Sequence, residues 1–363
     1  MRKFLKNFAA VLTALCVLAP RVALDDSASV RTAAQTGILG AKYFHTQKSV
    51  VSWSGYSAYR AFMRCGEKSF VIPGLDEGFV PQGLTFCEVK NSFMLSGYNA
   101  DGGAAYILTV NADSGRMNGE YKILKSDGTD FTGHSGGIVS FGRYVYLTDG
   151  YFLYYIPQIA LSGGSKNIRI EGEIRLPVSA SFITVFDGYL WAGNFYHKSY
   201  ANNFDVSVKD GYGKQYRTLI AAYRLDTKKR GGIRTSDERG TREAVIYAAL
   251  AAPDEVQGAA FLPNGDVHLS CSYGRGVMSS QFLYSYPLKE ECDGVVSVGK
   301  RVVPLWFLNN DRIKRSLSAP PMSEGVVSKN GRSYVIFESA AQKYRDTAMD
   351  PTDCVWAVNW AKK

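Results

Sequence analysis

The sequence predicts an all-β protein: a five-bladed β-propeller whose last blade is closed by an N-terminal strand. Three observations carry that expectation. One strand–turn–strand unit recurs five times, further strands follow each unit, and a strand-like segment stands unclaimed just before the first unit. Composition agrees. With 23 tyrosines, 19 phenylalanines and 36 glycines, the 363 residues suit a β protein with many turns. At 46% hydrophobic and 21% charged, the chain can fill a core and is not of disordered type.

The units read PQGLTFCEVKNSFMLSGYN from Pro81, HSGGIVSFGRYVYLTDG from His134, SFITVFDGYLWAGNF from Ser181, VQGAAFLPNGDVHLSCSYG from Val256 and SEGVVSKNGRSYVIFES from Ser323. Each holds a short apolar strand A, a turn with Gly or Asn, and an alternating strand B. Strand C follows as AAYILTVNAD, YFLYYIPQ, LIAAYRLD, QFLYSYPL and CVWAVNW. Strand D is expected at GEYKILK, EGEIRLP, REAVIYAAL and KRVVPLWFL. The fifth unit lacks one, and KSFVIPGL at 68–75 is expected to supply it. Closing the ring removes sheet edges that would otherwise pair with other chains. Unequal unit lengths trace to insertions in unit three, YHKSYANNFDVSVKDGYGKQYR between B and C, and TKKRGGIRTSDERGTRE between C and D, read as a solvated charged loop.

Outside the propeller (68–363), residues 1–29 read as a signal peptide and 30–67 as an extension packed on the propeller. Arg2, Lys3 and Lys6 precede an apolar run from Phe8 to Ala19, too short for a comfortable membrane span. Cleavage near Ser27-Ala28-Ser29 or at Ala23 both remain open. Leu15 precedes Cys16 where a lipid-anchor signal wants a small residue. The expectation is a secreted monomer, extracellular or in the cell envelope, with no membrane insertion once the signal is removed. Cys65, Cys87, Cys271, Cys292 and Cys354 remain, an odd number, so at least one thiol stays free or pairs with another chain. They read as buried small hydrophobes with at most a single disulfide, and no C-x-x-C spacing suggests a zinc site. The formal charge of +9 fits a basic surface or attraction to anionic polymers such as cell-wall glycans. No recognition motif accompanies it, so nucleic acid is not an expected partner.

In a propeller, strand A lines the central channel, and the D–A and B–C loops share one rim. The A-strand corners are Gln82, His134, Ser181 or Phe182, Gln257 and Glu324, mostly followed by glycine. This explains a histidine at 134 in a chain with four. Two amides, an imidazole and a carboxylate suit a polyhydroxylated ligand, or a hard cation held through water. The same groups could instead tie down loop backbone near the axis. The B–C loops add Tyr98, Asn99, Asp149, Asn194, Phe195, Tyr273, Arg275 and Glu338. Aromatic faces there would pack on sugar C–H groups while amides take hydroxyls. Arg275 and Arg345 could meet a carboxylate or phosphate. His197 opens an insertion and is expected at the surface, whereas His268 in VHLSC is expected between blades. No metalloprotease, nucleophile-elbow, P-loop or dinucleotide motif stands in a credible context.

Over about 68 to 360, the units, with QGLTF and HSGGIVSFGRYVYL, resemble secreted bacterial propellers of the YVTN and quinoprotein-like group. The QGLTF and SEGVV corners and the five-bladed count are also similar to plant-type glutaminyl cyclases, a resemblance that implies a role for Glu324. That family's further acidic and tryptophan-bearing corner motifs are missing from the sequence. Five-bladed glycoside hydrolases use carboxylates from three blades, and only Glu324 starts an A strand here, which argues against that mechanism. Fold leaves function open. The first reading is glycan or other cell-envelope ligand binding at the channel mouth, through Gln82, Gln257, Tyr98, Asn99, Asn194, Tyr273 and Arg275. The second is a hydrolase or lyase with Glu324 and His134 as acid and base. The third is a protein-docking scaffold. The sequence assigns no cofactor and no metal.

Overall fold

The computed structural model describes residues 46–52, 57–162, 164–200, 206–238, 241–276 and 281–362, all within the compact unit Phe44–Lys363. The signal peptide and its cleavage alternatives lie outside the described residues.

Five sheets succeed one another around an axis. Blade one holds Phe79–Cys87, Ser92–Asn99, Tyr106–Asn111 and Met117–Leu124 as strands A to D. Blade two holds Gly137–Phe141, the span Tyr144–Pro157 and Gly172–Ala180. That long span folds back on itself as strands B and C. Gln158 N–H donates to the Arg143 carbonyl at 2.8 Å, and Gly150 turns the chain at φ 58°. Blade three holds Phe182–Phe186, Tyr189–Gly193, Thr218–Arg224 and Ile246–Ala252. Blade four holds Val256–Phe261, Val267–Ser272, Gln281–Tyr286 and Arg315–Ser318.

Blade five closes the ring. Its strands A to C are Ser323–Lys329, Arg332–Phe337 and Cys354–Val358, and its D strand is Gly66–Val71. Val71 pairs with Cys354 and Gly66 with Val358, so the closing strand begins two residues before the expected 68 and ends at 71. The segment before it also packs on the propeller. The helix Arg60–Cys65 buries Phe62 and Cys65, with the Phe62 ring 5.1 Å from that of Trp356. Gln47 donates to the carbonyls of Val71 and Gly115 and accepts from Met117 N–H, tying blade five to blade one.

One strand assignment is corrected. KRVVPLWFL is not the D strand of blade four. Arg301–Phe307 runs parallel to Ile246–Ala252 of blade three, Ala249 opposite Leu305, and pairs on its other side with Gly294–Val298. The charged C–D insertion of unit three is likewise more than a solvated loop. Its hairpin, Thr235–Glu238 with Thr241–Ala244, joins the D strand of blade two. Gly164–Arg169 does the same for blade one. In each case the C–D connection of one blade covers the outer edge of the blade before it, which shields that edge from other chains. The alternation of VVPLWFL fits either edge: Val303, Leu305 and Phe307 are buried, while Val302 is 65% exposed.

At the axis the A strands lie backbone against backbone. A Cβ on Gly325 would stand 2.6 Å from Leu84 N of blade one, and a Cβ on Gly258 would stand 2.8 Å from the Glu324 carbonyl of blade five. Gly83 and Gly137 meet the next A strand in the same way. Blade three has no such glycine and instead stacks Phe186 on Phe261 of blade four, ring centres 4.7 Å apart. Between blades four and five, His268 is 1% exposed, pairs Nδ1 with Ser333 Oγ and packs on Trp360. Burial pulls its pKa down to about 3, so it is a neutral interior group. The five described cysteines are all free thiols, only Cys292 being exposed.

Two outcomes follow from the closed ring. Gly325→Ala and Gly258→Ala should each cost about 1–3 kcal/mol by overpacking. Gly294→Ala, whose Cβ meets nothing within 4 Å, should leave the melting temperature nearly unchanged. Equal melting temperatures for the three variants would refute the axial contact. Deleting the chain through Val71 should yield an aggregating product with an open blade five; a soluble product that melts like the full chain would refute the closure.

Candidate functional site at the channel mouth

A cavity of about 740 Å³ opens at the end of the axis where the A strands begin. Gln82, His134, Ser181, Gln257 and Glu324, one from each blade, all line it. Asp149, Phe195, Tyr273, Arg275, Glu338 and Tyr344 line it from the B–C side.

Backbone irregularity aims three of these side chains. Pro81 pairs with Gly97 and Gly83 with Ser96, leaving Gln82 unpaired between them. Gln257 stands in the same position between Val256 and Gly258. Glu324 and Gly325 lie between Ser323, opposite Phe337, and Val326, opposite Val335. Such bulges bend a strand and redirect a side chain. One or two residues before three of the A strands, the backbone is left-handed without being glycine: Ser135 (φ 53°), Glu255 (φ 66°) and Met322 (φ 62°). That conformation carries strain and needs support. Ser96 Oγ donates to the Ser135 carbonyl at 2.8 Å, Ser272 N–H to that of Glu255 at 2.9 Å, and Met322 N–H to Ser272 Oγ at 3.0 Å. Each corner is thereby pinned, two of them from the preceding blade.

The centre of the site is a pair of carboxyls, Glu324 and Glu338. Gln257 Nε2 donates to Glu324 Oε1 at 3.1 Å, and Gln82 Nε2 donates to Glu338 Oε2 at 2.8 Å. Glu324 is 4% exposed. Burial raises its pKa well above the usual carboxylate range, and the charge of Glu338 raises it further. Burial also pushes Glu338 up to about 7, although the Gln82 hydrogen bond, Lys343 and Arg275 all pull it down. Glu324 makes no ion pair among the described residues. The pair therefore favours at least one neutral carboxyl near pH 7, a group that can donate as well as accept a hydrogen bond.

His134 stands apart from this pair. Its ring lies on Tyr98, centres 4.7 Å apart, and its backbone N–H donates to Asp149 Oδ1 at 3.3 Å. Desolvation lowers its pKa, Asp149 opposes that, and Lys343 adds to it. The charge acting on Glu324 is that of Glu338, not that of an imidazolium. Tyr273 stacks on His197 at 3.4 Å. His197 is only 7% exposed, contrary to the surface position expected for it. Its Nδ1 accepts from Ser199 N–H, and its Nε2 lies 3.5 Å from Glu255 Oε1, because the start of the insertion folds back over blade four.

Three predicted ligand-binding residues do not line the cavity. Tyr98 is one layer behind, its hydroxyl bonded to that of Tyr344 at 2.9 Å and accepting from Lys343 Nζ. Asn194 is buried and bonded to strand C, donating to the Arg217 carbonyl and accepting from Leu219 N–H. Asn99 accepts from Asp101 N–H and shapes a turn. Arg345 also points elsewhere, to Asp76 Oδ1 at 2.6 Å and the Leu75 carbonyl. Tyr344 and Lys343 carry no strand pattern that would single them out. Glu338 as partner of Glu324 was legible: SEGVVSKNGRSYVIFES is a hairpin with a glutamate second from each end, which brings both to one end.

No family model and no curated protein matches the chain. Solved structures do. The chain is similar to a glutaminyl cyclase from Myxococcus xanthus at 9% identity and a TM-score of 0.40, covering 75% of this chain and 91% of that one. It is similar to a hydrazine synthase from Kuenenia stuttgartiensis at 11% identity and 0.39, covering 78% and 96%. A PQQ-bound aldose sugar dehydrogenase from Streptomyces coelicolor matches at 13% and 0.37, covering 81% and 97%. The resemblance to glutaminyl cyclases and quinoprotein-like propellers is one of fold.

The carboxyl pair has a pH signature. Its folded pKa values lie above the unfolded ones, so the native state holds extra protons. Its stabilising contribution is complete below about pH 4.5 and fades as pH rises through about 7. Glu338→Gln should therefore match wild type at pH 5 and exceed it in stability at pH 8, by no more than about 3 kcal/mol. Parallel melting curves for the two proteins from pH 5 to 8 would exclude a buried titrating pair.

Proposed function

We propose that the protein binds a polyhydroxylated ligand, a glycan end, at the mouth of its channel. The observation that carries this reading is one cavity in which hydrogen-bonding groups from several blades face aromatic surfaces. Gln82, Gln257, Glu324 and Glu338 supply donors and acceptors, and Phe195, Tyr200, Tyr273 and Tyr344 supply ring faces. Sugars present both kinds of surface, hydroxyls around the ring edge and C–H groups on its faces. The pinned corners and the His197 stack behind Tyr273 support this use, because a site held in place before binding loses less freedom on binding. Export to the cell envelope, where glycans are plentiful, is part of the proposal and rests on the N-terminal sequence.

A second reading is favoured by the carboxyl pair. A neutral Glu324 beside a Glu338 that titrates near 7 can supply a proton and accept one. This acid–base pair replaces the Glu324–His134 pair suggested by sequence. It would act on the ligand bound at the same mouth, as a hydrolase or lyase.

Calorimetric titration with neutral and acidic oligosaccharides built on galactose, glucose and N-acetylglucosamine tests the binding reading. At least one should bind, and Tyr273→Ala should weaken it about tenfold or more, the scale of one lost ring contact with its neighbours. If no sugar binds, or if Tyr273→Ala binds as well as wild type, the reading fails. Incubation of the bound sugar with wild type and Glu324→Gln separates the second reading: cleavage by wild type alone supports it, and an intact sugar in both excludes it.

A further inference from the structure

We propose that the ligand is anionic, a sugar bearing a carboxylate or phosphate, and that Arg275 and Lys343 hold that group on the blade-four and blade-five side of the mouth. The proposal rests on the binding reading above and names its ligand class.

Arg275 leaves the B–C loop of blade four and Lys343 that of blade five. Both lie over the same ring: Arg275 Cζ is 4.9 Å and Lys343 Nζ is 5.0 Å from the centre of Tyr344. Lys343 also lies 4.7 Å from the Tyr98 ring. Ring faces attract cations but leave their charge unneutralised. Neither cation makes an ion pair within 4.0 Å among the described residues, although ten such pairs occur elsewhere in them. Their hydrogen bonds are neutral: Arg275 Nη1 donates to Thr347 Oγ1 at 2.8 Å and Lys343 Nζ to Tyr98 Oη at 2.9 Å.

Glu338 is the carboxyl on which both charges act, yet its Oε2 accepts from Gln82 and it pairs with neither cation. Both side chains are exposed, so water screens their mutual repulsion, and an anion seated between them would attract both. Tyr344 and Arg275 line the cavity, so an anion placed there would belong to the occupant of the mouth. The planar guanidinium suits a carboxylate or a phosphate, and the ammonium adds a point charge. Arg345, the other basic residue considered for this role, is engaged by Asp76.

Calorimetric titration with three probes tests this: digalacturonate, its neutral counterpart galactobiose, and galactose 6-phosphate. At least one anionic probe should bind about tenfold or more tighter than galactobiose at 50 mM salt, and the advantage should shrink at 300 mM. The tighter of the two anions identifies the group. Lys343→Gln and Arg275→Gln should each reduce the advantage, and the double variant should abolish it. Lys329→Gln removes a cation from a ring at the opposite end of strand A in blade five and should preserve it. Equal affinity of wild type for charged and neutral probes, or an advantage that survives in the double variant, overturns this proposal alone. Failure of all three probes while an oligosaccharide of glucose or N-acetylglucosamine binds also overturns this proposal alone; failure of every sugar overturns it together with the binding reading.

Discussion

The structure depends on backbone-to-backbone contact of A strands around the axis, and that contact depends on missing side chains. At Gly83, Gly137, Gly258 and Gly325 a methyl group would stand less than 3 Å from the backbone of the next blade. Such atoms cannot move aside as a flexible side chain can. With the glycines in place, five sheets fit around a narrow axis and each presents its corner residue at the same height. The polar mouth follows from this packing. Side chains at the corners cannot enter the strand contacts and must project into the opening.

The mouth also has an energetic cost. A buried Glu324 and a half-buried Glu338 stand together, with no ion pair to either among the described residues. Burying an unpaired charge is expensive, so protonation is the cheaper course. A role confined to tying down loops would be served as well by two amides, which carry no charge to desolvate. The amides satisfy one oxygen of each carboxyl, and the second carboxyl raises the pKa of the first. That arrangement opposes stability at neutral pH and is consistent with a site whose chemistry or ligand needs acidic groups.

Much of the architecture was legible because the repeat is periodic. Alternation located all five A–B hairpins, and the unclaimed strand at 68–75 pointed to ring closure. What was not legible is whatever periodicity treats as equivalent. VVPLWFL alternates in the same way whether it edges blade three or blade four, and only the path of the C–D connection decides. The short RSLS of Arg315–Ser318 has too little apolar character to compete as a strand signal. At the site, corner position correctly brought Gln82, His134, Gln257 and Glu324 to one cavity. Chemistry of residue type misled at Asn194 and Asn99, since an asparagine at a strand end is as well suited to bonding its own backbone as to bonding a ligand. His197 was misplaced because an insertion looks solvated in sequence even when its first turn packs inward.

The ring is nearly five-fold in its strands but not in its mouth. Blades three and five carry long B–C connections, and these supply Phe195, Tyr200 and Tyr344 to the cavity; blade four adds Tyr273 and Arg275. Blade two adds Tyr151 from the short turn at Asp149–Gly150. Aromatic rings therefore come from blades two to five, whereas Arg275 comes from blade four and the two glutamates from blade five. A ligand in this opening meets unlike walls, and that difference can fix its orientation, which a symmetric ring of identical corners could not. Repeating strands supply the rigidity, and unequal loops supply the direction.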